Sequence, residues 1–474
     1  MKWGIIGAGR IANRFCASLQ NIKECELYAI SCRTSEKALA FAKLHPCKKI
    51  YSDYNKIVQD PNIDAVYIAT PHQFHYEWIM KCLTAHKAVF VEKPACLTVE
   101  QINNVIQCAK ENNTLFMEAM KTRFVPLYKV IHSLICNGEI GTLTNLELSL
   151  CNEIPQEYIR KSYLGDPDSG GVLTDMGIYA LSWLDDFVHE ELTLTHLYTN
   201  LRDDVLYYIR AKLSGKNVSV TLECGMDRSK PKKAIIRGTK GTITIPDFHR
   251  PVTACINDRI IEIPYEYDDF YGEIRHFTEL YISGKKESEL MSFQSTLNCI
   301  KLMQTIQNGM LWNKETVTLL EKEEQNLSFE HLSIEDINRI GEQLKCNQKM
   351  YERNAAIRIV DEETDTILFE YLPADKSERN FMFMEGKRNV AKLASHSSLY
   401  AIIKHIVNGD YEEMMNAFPV YCPSGGAFPL IADNKWKYTI LASGLHEGED
   451  HELIVNTLYK YKNMEIPPFP YRMI

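Results

Sequence analysis

The chain has 474 residues, of which 45% are hydrophobic and 24% are charged. This composition is typical of globular proteins and excludes the disordered and fibrous classes. The net charge of −9 argues against a nucleic-acid partner, because phosphate binding is carried by clustered lysine and arginine. The length predicts about three domains.

The cysteines and the apolar runs favour a cytoplasmic location. The fourteen cysteines are scattered, and no CxxC pair occurs, so they are predicted to be reduced thiols and no metal site is predicted. The apolar start of the chain runs directly into glycines, unlike a cleavable signal peptide. No apolar run approaches the roughly 18–20 residues that span a bilayer. We therefore expect a soluble cytoplasmic protein with no membrane partner.

The first 120 residues alternate short apolar runs with helical patterns, which predicts a parallel sheet with crossover helices. The predicted strands are Lys2–Gly7, Cys25–Cys32, Ala65–Thr70, Ala88–Glu92 and Thr114–Ala119. The predicted helices are Ile11–Leu19, Ser35–Leu44, His75–Ala85 and Val99–Glu111. Residues 1–120 are therefore predicted to form a Rossmann-type NAD(P)-binding domain in an α/β protein.

Residues 121–318 follow a different pattern, with longer alternating segments that predict strands with one solvated face. They include Thr144–Leu150, Val218–Cys224 and Gly241–Ile245, followed by helices at Glu273–Ser283 and Ser292–Met310. This predicts an α+β domain with a large, mostly antiparallel sheet. Residues 319–332 are acidic and poor in apolar residues, and are interpreted as a linker or connecting helix.

Residues 333–474 are predicted to form a further C-terminal α/β domain with an antiparallel sheet. Strands are expected at Ala356–Val360, Thr366–Phe369 and Tyr438–Ala442, with a loop at Gly425–Gly426. About 140 residues are enough for an independently folding domain.

A glycine-rich turn directly follows the first predicted strand and precedes a helix. Its sequence is Gly7-Ala8-Gly9-Arg10-Ile11-Ala12, which is GxGxxA. The first glycine permits the tight turn, the second lets the backbone approach a pyrophosphate, and the helix N-terminus attracts the phosphate charge. We predict that Gly7, Gly9, Arg10 and Ile11 bind a dinucleotide.

The end of the second predicted strand bears on the choice of cofactor. NAD-preferring sites usually place an acid there, whereas this chain has Ser31, Arg33 and Thr34. An arginine can pair with a 2′-phosphate, and the hydroxyl groups can donate hydrogen bonds to it. NADP(H) is therefore favoured over NAD(H), although an arginine here can also be an ordinary exposed loop residue.

Two further segments fall at the carboxyl ends of predicted strands, where ligands bind in open α/β sheets. One contains Thr70, Pro71, His72 and His75, and the other is Glu92-Lys93-Pro94. We predict that these residues, apart from Pro94, contact the cofactor. His75 has an alternative role in opening its helix.

Together these motifs resemble the Gfo/Idh/MocA oxidoreductase family, whose fingerprint is followed by TPxxxH and EKP segments. The likeness continues at Gly170-Gly171-Val172-Leu173-Thr174-Asp175-Met176-Gly177-Ile178-Tyr179 and at Phe116–Pro126, Gly238–Thr242 and Glu273–His276. It is nearest to the branch of dimeric dihydrodiol dehydrogenases and NADP-dependent D-xylose dehydrogenases, and covers roughly residues 1–315.

The resemblance implies that Lys93 is the catalytic lysine, that Tyr179 transfers the proton and that Asp175 orients the substrate. These three residues and Arg123 are expected to bind the substrate. Since the ordinary pKa of tyrosine is about 10, a nearby ammonium such as Lys93 is expected to make Tyr179 competent near neutral pH. Taken singly, Tyr179 can also be a core residue, and Asp175 can also be a helix cap.

One position departs from the branch, where tryptophan often stands in place of Lys121 beside the expected substrate pocket. A cation there can favour a more polar or anionic substrate. Alternatively, Lys121 can simply point to solvent.

The C-terminal region resembles the GlcG/HbpS-like superfamily, part of which is labelled haem-degrading. The matching segments are Lys387–Val390, Ser397-Ser398, Gly425–Pro429, Ser443–Leu445 and Asp450–Leu453. A role in binding, oligomerisation or regulation is favoured over haem binding, because His451 has no regularly spaced partner.

The favoured function is an NADP(H)-dependent dehydrogenase or reductase acting on a hydroxyl carbon of a sugar, polyol or cyclic diol. Two alternatives stay open. The protein can be a non-catalytic sensor of dinucleotide or ligand, or its activity can reside in a ligand- or haem-binding C-terminal domain. The resemblance also implies a homodimer or higher homo-oligomer.

Overall fold

The computed structural model describes residues 1–308, 314–351, 353–408, 418–445 and 448–467. Its contacts divide the chain into two units, Met1–Tyr198 with Val205–Gly309, and Thr199–Asp204 with Met310–Ile474. The predicted fold class is confirmed, with a parallel Rossmann sheet, a mostly antiparallel second sheet and a small antiparallel C-terminal sheet. None of the described helices is both long and apolar enough to span a lipid bilayer.

The Rossmann sheet has six parallel strands in the order β3-β2-β1-β4-β5-β6. The strands are β1 (Lys2–Ile6), β2 (Glu26–Ser31), β3 (Lys49–Tyr51), β4 (Ala65–Ile68), β5 (Ala88–Glu92) and β6 (Phe116–Ala119). The helices are α1 (Arg10–Leu19), α2 (Ser35–Leu44), α3 (Tyr54–Gln59), α4 (His75–Thr84) and α5 (Val99–Glu111). β3 and α3 were not predicted from the sequence. β3 is a mostly exposed edge strand of three residues, and α3 has six residues of which only Ile57 is buried, so neither gives a clear apolar pattern.

An aromatic cluster fixes the Rossmann sheet against the second domain. Trp3 of β1 lies 5.2 Å from the ring of Phe277, and Phe90 of β5 lies 5.1 Å from the same ring, measured between ring centres. All three side chains are completely buried. Because Phe277 belongs to the second domain, this shared core packs that domain against the Rossmann sheet.

The second domain has an eight-stranded sheet in the order β14-β13-β12-β11-β7-β10-β9-β8. Its strands are β7 (Leu143–Cys151), β8 (Thr193–Arg202), β9 (Val205–Ser214), β10 (Ser219–Gly225), β11 (Ala234–Gly238), β12 (Thr242–Ile245), β13 (Thr253–Ile256) and β14 (Arg259–Glu262). Its helices are α6 (Pro126–Cys136), α7 (Gln156–Lys161), α8 (Ile178–Phe187), α9 (Tyr271–Ile282) and α10 (Phe293–Asn308). The predicted last residues of α10, 309 and 310, lie outside the described residues.

β7 and β10 pair in parallel, whereas the described pairings of β7 with β11, of β10 with β9 and along β11 to β14 are antiparallel. Leu146, Leu148, Val220 and Leu222 alternate with more exposed residues, so one face of the sheet is buried, as the period of two predicts.

The C-terminal unit has a four-stranded antiparallel sheet in the order β16-β15-β18-β17. Its strands are β15 (Ala356–Asp361), β16 (Ile367–Tyr371), β17 (Ala427–Ala432) and β18 (Lys435–Ser443). Its helices are α11 (Lys314–Asn326), α12 (Ile334–Asn347), α13 (Glu378–Ala394), α14 (Ser398–Asn408) and α15 (Glu449–Tyr461).

Residues 319–332, interpreted as a linker or connecting helix, are helical over most of their length. The helix is α11, which is attached to the C-terminal unit by carboxylates. Glu323 contacts His451 Nε2 at 2.9 Å, Glu324 accepts the Ser397 amide at 2.7 Å, and Tyr400 donates to Glu321 at 2.9 Å. The sequence suggests a linker because acidic residues usually face solvent, whereas here they meet polar partners that are distant in sequence.

Replacing Glu324 with glutamine is expected to destabilise the C-terminal unit more at about pH 6 than at about pH 8.5. The carboxylate lies 2.7 Å from His396 Nδ1 and raises the pKa of that histidine. A raised pKa stabilises the fold at pH values below the ordinary value of about 6.5, and this stabilisation is lost as the pH rises through the folded value. Removing a hydrogen bond to a charged group lowers the free energy of unfolding by about 1–3 kcal/mol.

Urea unfolding of the full chain at the two pH values measures this effect. Glu335→Gln is the control, because Glu335 is largely exposed on α12. An equal loss of stability at both pH values would contradict the role given to the charge of His396.

Candidate active site

The glycine-rich turn has the backbone that a dinucleotide pyrophosphate requires. Gly7 has a φ of +96°, and a Cβ there would lie 2.6 Å from the carbonyl oxygen of Ala69. Around Gly9, by contrast, a Cβ would meet nothing within 4 Å, so the N-terminus of α1 has open space in front of it. This combination of a tight turn and an open cradle fits a pyrophosphate at the helix N-terminus.

The two residues after Gly9 begin α1. Arg10 is exposed and Ile11 is half-buried, while Ala12 is completely buried against the sheet. Arg10 and Ile11 therefore stand at the open side of the turn, and their amides belong to the first turn of the helix. Their contact with a cofactor stays a prediction.

The end of β2 presents residues of different exposure. Ser31 is completely buried, and its hydroxyl has no hydrogen-bond partner among the described residues. Thr34 caps α2 by accepting the Lys37 amide at 3.4 Å, and Arg33 is exposed. The exposed guanidinium of Arg33 is free to meet an adenosine 2′-phosphate, whereas the Thr34 oxygen already caps a helix.

The segment after β4 is held in place by histidine. Both ring nitrogens of His75 lie 2.8 Å from carbonyl oxygens, one of Pro94 and one of Thr70. Burial lowers the pKa of His75 to about 4, so the neutral ring donates to one carbonyl at a time. His75 is completely buried and ties the loop after β4 to the loop after β5, and its contact with the cofactor stays a prediction.

His72 and Thr70 lie at the same edge of the sheet. His72 Nδ1 is 3.0 Å from the carbonyl oxygen of Ser169, and burial, followed by the charge of Lys93, lowers the pKa of this histidine. The hydroxyl of Thr70 is buried and has no partner among the described residues, which makes it available to a cofactor group. Pro71 lies between these two residues, is half-buried and directly precedes the turn His72–Phe74.

Lys93 and Asp175 form the central ion pair of the site. Lys93 Nζ donates to Asp175 Oδ1 at 2.7 Å and to the carbonyl oxygen of Asp175 at 2.6 Å. Tyr163 donates to Asp175 Oδ1 at 3.1 Å. Burial acts to raise the pKa of Asp175, but Lys93 and His72 outweigh it, so the pKa lies below its ordinary value and the carboxylate is charged.

Asp175 owes its position to a distorted turn. Residues Leu173–Gly177 are π-helical and lead directly into α8, and Asp175 lies inside this turn. π-helical turns often occur at functional sites because they shift a side chain relative to a regular helix.

Glu92, the neighbour of Lys93, accepts a hydrogen bond from Tyr67, and burial raises its pKa. Glu92 therefore faces the Rossmann core.

Tyr179 lies against the same ion pair. Lys93 Nζ is 5.1 Å from the centre of its ring, and His249 packs edge-on at 4.6 Å between ring centres. Among the residues that the structure describes, none accepts or donates a hydrogen bond at the Tyr179 hydroxyl. The hydroxyl is thus available to a bound substrate.

The pKa of Tyr179 is shifted upwards, whereas the sequence predicts that Lys93 lowers it. Its pKa is raised well above the ordinary value by burial, followed by the nearby charges of Glu92 and Asp175. The expected lowering by Lys93 is offset because Asp175 neutralises that ammonium. The phenol therefore keeps its proton and is suited to donate it.

Arg123 occupies a different environment from the one expected for a substrate ligand. It is completely buried and donates to Ser182 Oγ at 2.7 Å, to the Leu290 carbonyl at 3.1 Å and to Asp185 at 2.8 Å. These bonds join α8 to the segment before α10 and favour a structural role. Contact with the substrate stays a prediction for this residue.

Lys121 does not point to solvent. It is buried, forms an ion pair with Asp269, and its Nζ lies 5.7 Å from the centre of the Tyr179 ring. Tyr163, His249 and Asp269 were missed by the sequence analysis. None of the three belongs to a motif recognised in the sequence, and the tertiary structure brings them to the site.

The C-terminal unit contains its own buried polar groups. Lys387 Nζ donates to Asp450 at 2.8 Å and to the Ala442 carbonyl at 3.0 Å, beneath Gly426 with its φ of +118°. His451 Nε2 contacts Glu323, so this nitrogen is available to a haem iron only if α11 moves away. The described residues include no group of three or more metal-ligating side chains.

Three family descriptions match the chain. Residues 1–120 match the oxidoreductase family with an NAD-binding Rossmann fold, and residues 128–244 match the GFO/IDH/MocA C-terminal domain. Residues 332–458 match the haem-degrading protein HbpS-like family.

Curated relatives include trans-1,2-dihydrobenzene-1,2-diol dehydrogenases. The protein from Xenopus tropicalis is 30% identical over 308 residues, which cover 61% of this chain and 92% of the relative. The protein from Mus musculus is 27% identical and has similar coverage, 61% and 91%.

Similar solved structures include a 3-ketoreductase from Actinomadura kijaniata in complex with NADP and TDP-benzene. The TM-score is 0.59 at 24% identity, covering 65% of this chain and 97% of that one. Levoglucosan dehydrogenase in complex with NADH and L-sorbose has a TM-score of 0.58 at 18% identity, covering 65% and 95%. At these identities the likeness shows the fold.

The glycine turn, the Lys93–Asp175 pair and the sequence relatives agree on one assignment for residues 1 to about 310. The chain belongs to the Gfo/Idh/MocA family of NAD(P)-dependent oxidoreductases and carries an additional HbpS-like domain at its C-terminal end.

Proposed function

We propose that the chain is an NADP(H)-dependent oxidoreductase that acts on a hydroxyl carbon of a sugar, polyol or cyclic diol. The observation that carries the proposal is the contact of the Lys93–Asp175 ion pair with the Tyr179 ring at the carboxyl ends of the Rossmann strands. A non-catalytic sensor of dinucleotide has no need of a proton donor beside a buried ammonium. The names of the relatives, a dihydrodiol dehydrogenase and a levoglucosan dehydrogenase, support this substrate class.

A bound nicotinamide would supply the hydride for reduction or accept it in oxidation. Tyr179, whose raised pKa keeps it protonated, donates its proton to the oxygen of the carbonyl substrate during reduction and is reprotonated from solvent, whereas the reverse oxidation requires its phenolate. The ammonium of Lys93 stabilises negative charge as it develops on that oxygen. Asp175 holds Lys93 by two contacts at 2.6 and 2.7 Å and so fixes its direction.

The preference for NADP(H) rests on Arg33. It is exposed at the end of β2, where the chain has no acidic residue to bind a ribose 2′-hydroxyl. Solved structures similar to the chain were obtained with NADP in one case and with NADH in another. Fold similarity alone therefore leaves the choice to the residues of this loop.

We further propose that the chain forms a homodimer or a higher homo-oligomer through the open face of the eight-stranded sheet. This face contains a concave surface of about 310 Å³ lined by charged and hydroxyl groups, among them Glu147, Arg210 and Glu223. A monomeric mass in light scattering would contradict this part of the proposal.

Titration of the purified chain with NADPH and NADH tests the proposed cofactor preference. We expect NADPH to bind more tightly, and Arg33→Ala to weaken NADPH binding by about tenfold or more while leaving NADH nearly unaffected. The reason is that a charge-assisted bond to the 2′-phosphate is lost. NADH provides the internal control for folding.

A panel of sugars, polyols and cyclic diols, followed at the nicotinamide absorbance, then tests the chemistry. Tight NADPH binding without turnover on the whole panel would favour the sensor. Binding of neither nucleotide would overturn both interpretations and direct attention to the C-terminal domain.

A further inference from the structure

Three cationic side chains converge on one buried carboxylate next to the proposed reaction centre. Asp269 pairs with Lys121 from the turn after β6, with Arg14 of α1, and with Arg250 from the segment between β12 and β13 at 3.5 Å. Only 4% of the Asp269 side chain is exposed. These residues come from the Rossmann domain and the second domain, so the cluster forms only in the folded unit.

The cluster contains more cations than ion-paired carboxylates. Among the described residues, Asp269 alone forms ion pairs with these three cations. The neighbouring carboxylates are hydrogen-bonded elsewhere, Asp247 to the amides of His249 and Arg250, and Asp268 to those of Phe270 and Tyr271 and to the Ser18 hydroxyl. Burial holds the pKa of nearby Glu273 well above its ordinary value, which favours its neutral form.

The cluster adjoins the proposed catalytic residues through Lys121 and through His249, the chain neighbour of Arg250. Lys121 Nζ lies 5.7 Å and Lys93 Nζ 5.1 Å from the centre of the Tyr179 ring. His249 touches the same ring, and its pKa is lowered first by burial and then by Lys121 and Arg250. This imidazole is therefore neutral, and it can form a hydrogen bond without reducing the positive potential.

The three cations differ in what they can offer to a ligand. The Lys121 side chain is 4% exposed and is committed to Asp269, whereas the side chains of Arg14 and Arg250 are 35% and 54% exposed. Among the described residues, Asp269 is the only carboxylate that pairs with Arg250. The Arg250 guanidinium thus keeps donors for a planar or tetrahedral anion, which arginine binds well.

We propose that this cluster binds an anionic group of the substrate, a carboxylate or a phosphate on a sugar or polyol, with Arg250 as the contacting residue. The inference rests on the proposed function, because it places the anion beside Tyr179. A carboxylate and a phosphate share the chemistry that the cluster recognises. They differ in charge and size, so separate arms of one experiment distinguish them.

The test is equilibrium binding to the full chain saturated with NADP⁺, with D-glucose, D-glucuronate and D-glucose 6-phosphate as probes. We expect at least one anionic probe to bind about tenfold or more tightly than glucose, and this preference to weaken as salt is added. Arg250→Gln should remove the preference, lowering affinity for the anion by about tenfold and leaving glucose unchanged.

Arg259→Gln is the matched control, since Arg259 is 60% exposed on β14, pairs with Glu139, and its replacement changes the net charge equally. Equal affinity for all three probes, or an equal effect of the two variants, would overturn the proposal. So would a loss of NADP⁺ affinity in Arg250→Gln with no change for the probes, because the cluster would then serve the cofactor. The readout needs no turnover, so a failure of the proposed oxidoreductase activity is recognised separately, on the substrate panel.

Discussion

Replacing Lys93 with methionine is expected to lower kcat by about 10²–10⁴-fold while NADPH still binds. The substitution keeps most of the side-chain volume and removes the ammonium that contacts Asp175 and faces Tyr179. Without it, negative charge that develops on the substrate oxygen loses its partner in a buried site. Burial then acts on Asp175 without the opposing ammonium, so its pKa should also rise.

Steady-state kinetics at the nicotinamide absorbance measure the first effect, and NADPH titration shows whether the variant is folded. Lys81→Met is a matched control, because Lys81 is an exposed lysine that pairs with Glu77 on α4. A near-normal kcat of the Lys93→Met variant would contradict the role of this lysine in the proposed mechanism.

Tyr179→Phe is expected to reduce kcat by a similar factor, about 10²–10⁴-fold, with little loss of stability. Only the hydroxyl is removed, and no described residue hydrogen-bonds to it. Because the pKa of Tyr179 is raised, the wild-type rate of carbonyl reduction should persist up to pH values above the ordinary tyrosine pKa of about 10. At still higher pH, where Tyr179 loses its proton, the wild-type rate should fall, whereas the rate of the variant should be low at all pH values.

Tyr163→Phe provides the matched control, since it removes a hydroxyl that donates to Asp175 at 3.1 Å and leaves Tyr179 intact. We expect it to lower kcat much less, because it acts through the orientation of Asp175. If the two phenylalanine variants were equally impaired, Tyr179 would have no special role as proton donor. Kinetics across the pH range, with thermal unfolding as a check on folding, decide between these outcomes.

The elements that could be predicted from the sequence are those whose signals are local. The strands β1, β4 and β5 consist of short apolar runs, since a parallel sheet covered on both faces selects such residues. The GxGxxA turn was visible because glycine at Gly7 is required by its positive φ and by the nearby Ala69 carbonyl. Residues of this kind reveal their role through their immediate neighbours in the chain.

Only the tertiary structure decided which distant side chains meet. Lys93 and Asp175 are 82 residues apart, and Lys121 and Asp269 are 148 apart. The same applies to Arg123, which donates hydrogen bonds to residues that are distant in sequence. It also applies to the acidic helix α11, whose glutamates bond to residues elsewhere in the C-terminal unit. The charge and hydrogen-bonding of a polar side chain depend on what surrounds it after folding, and neither composition nor periodicity records those surroundings.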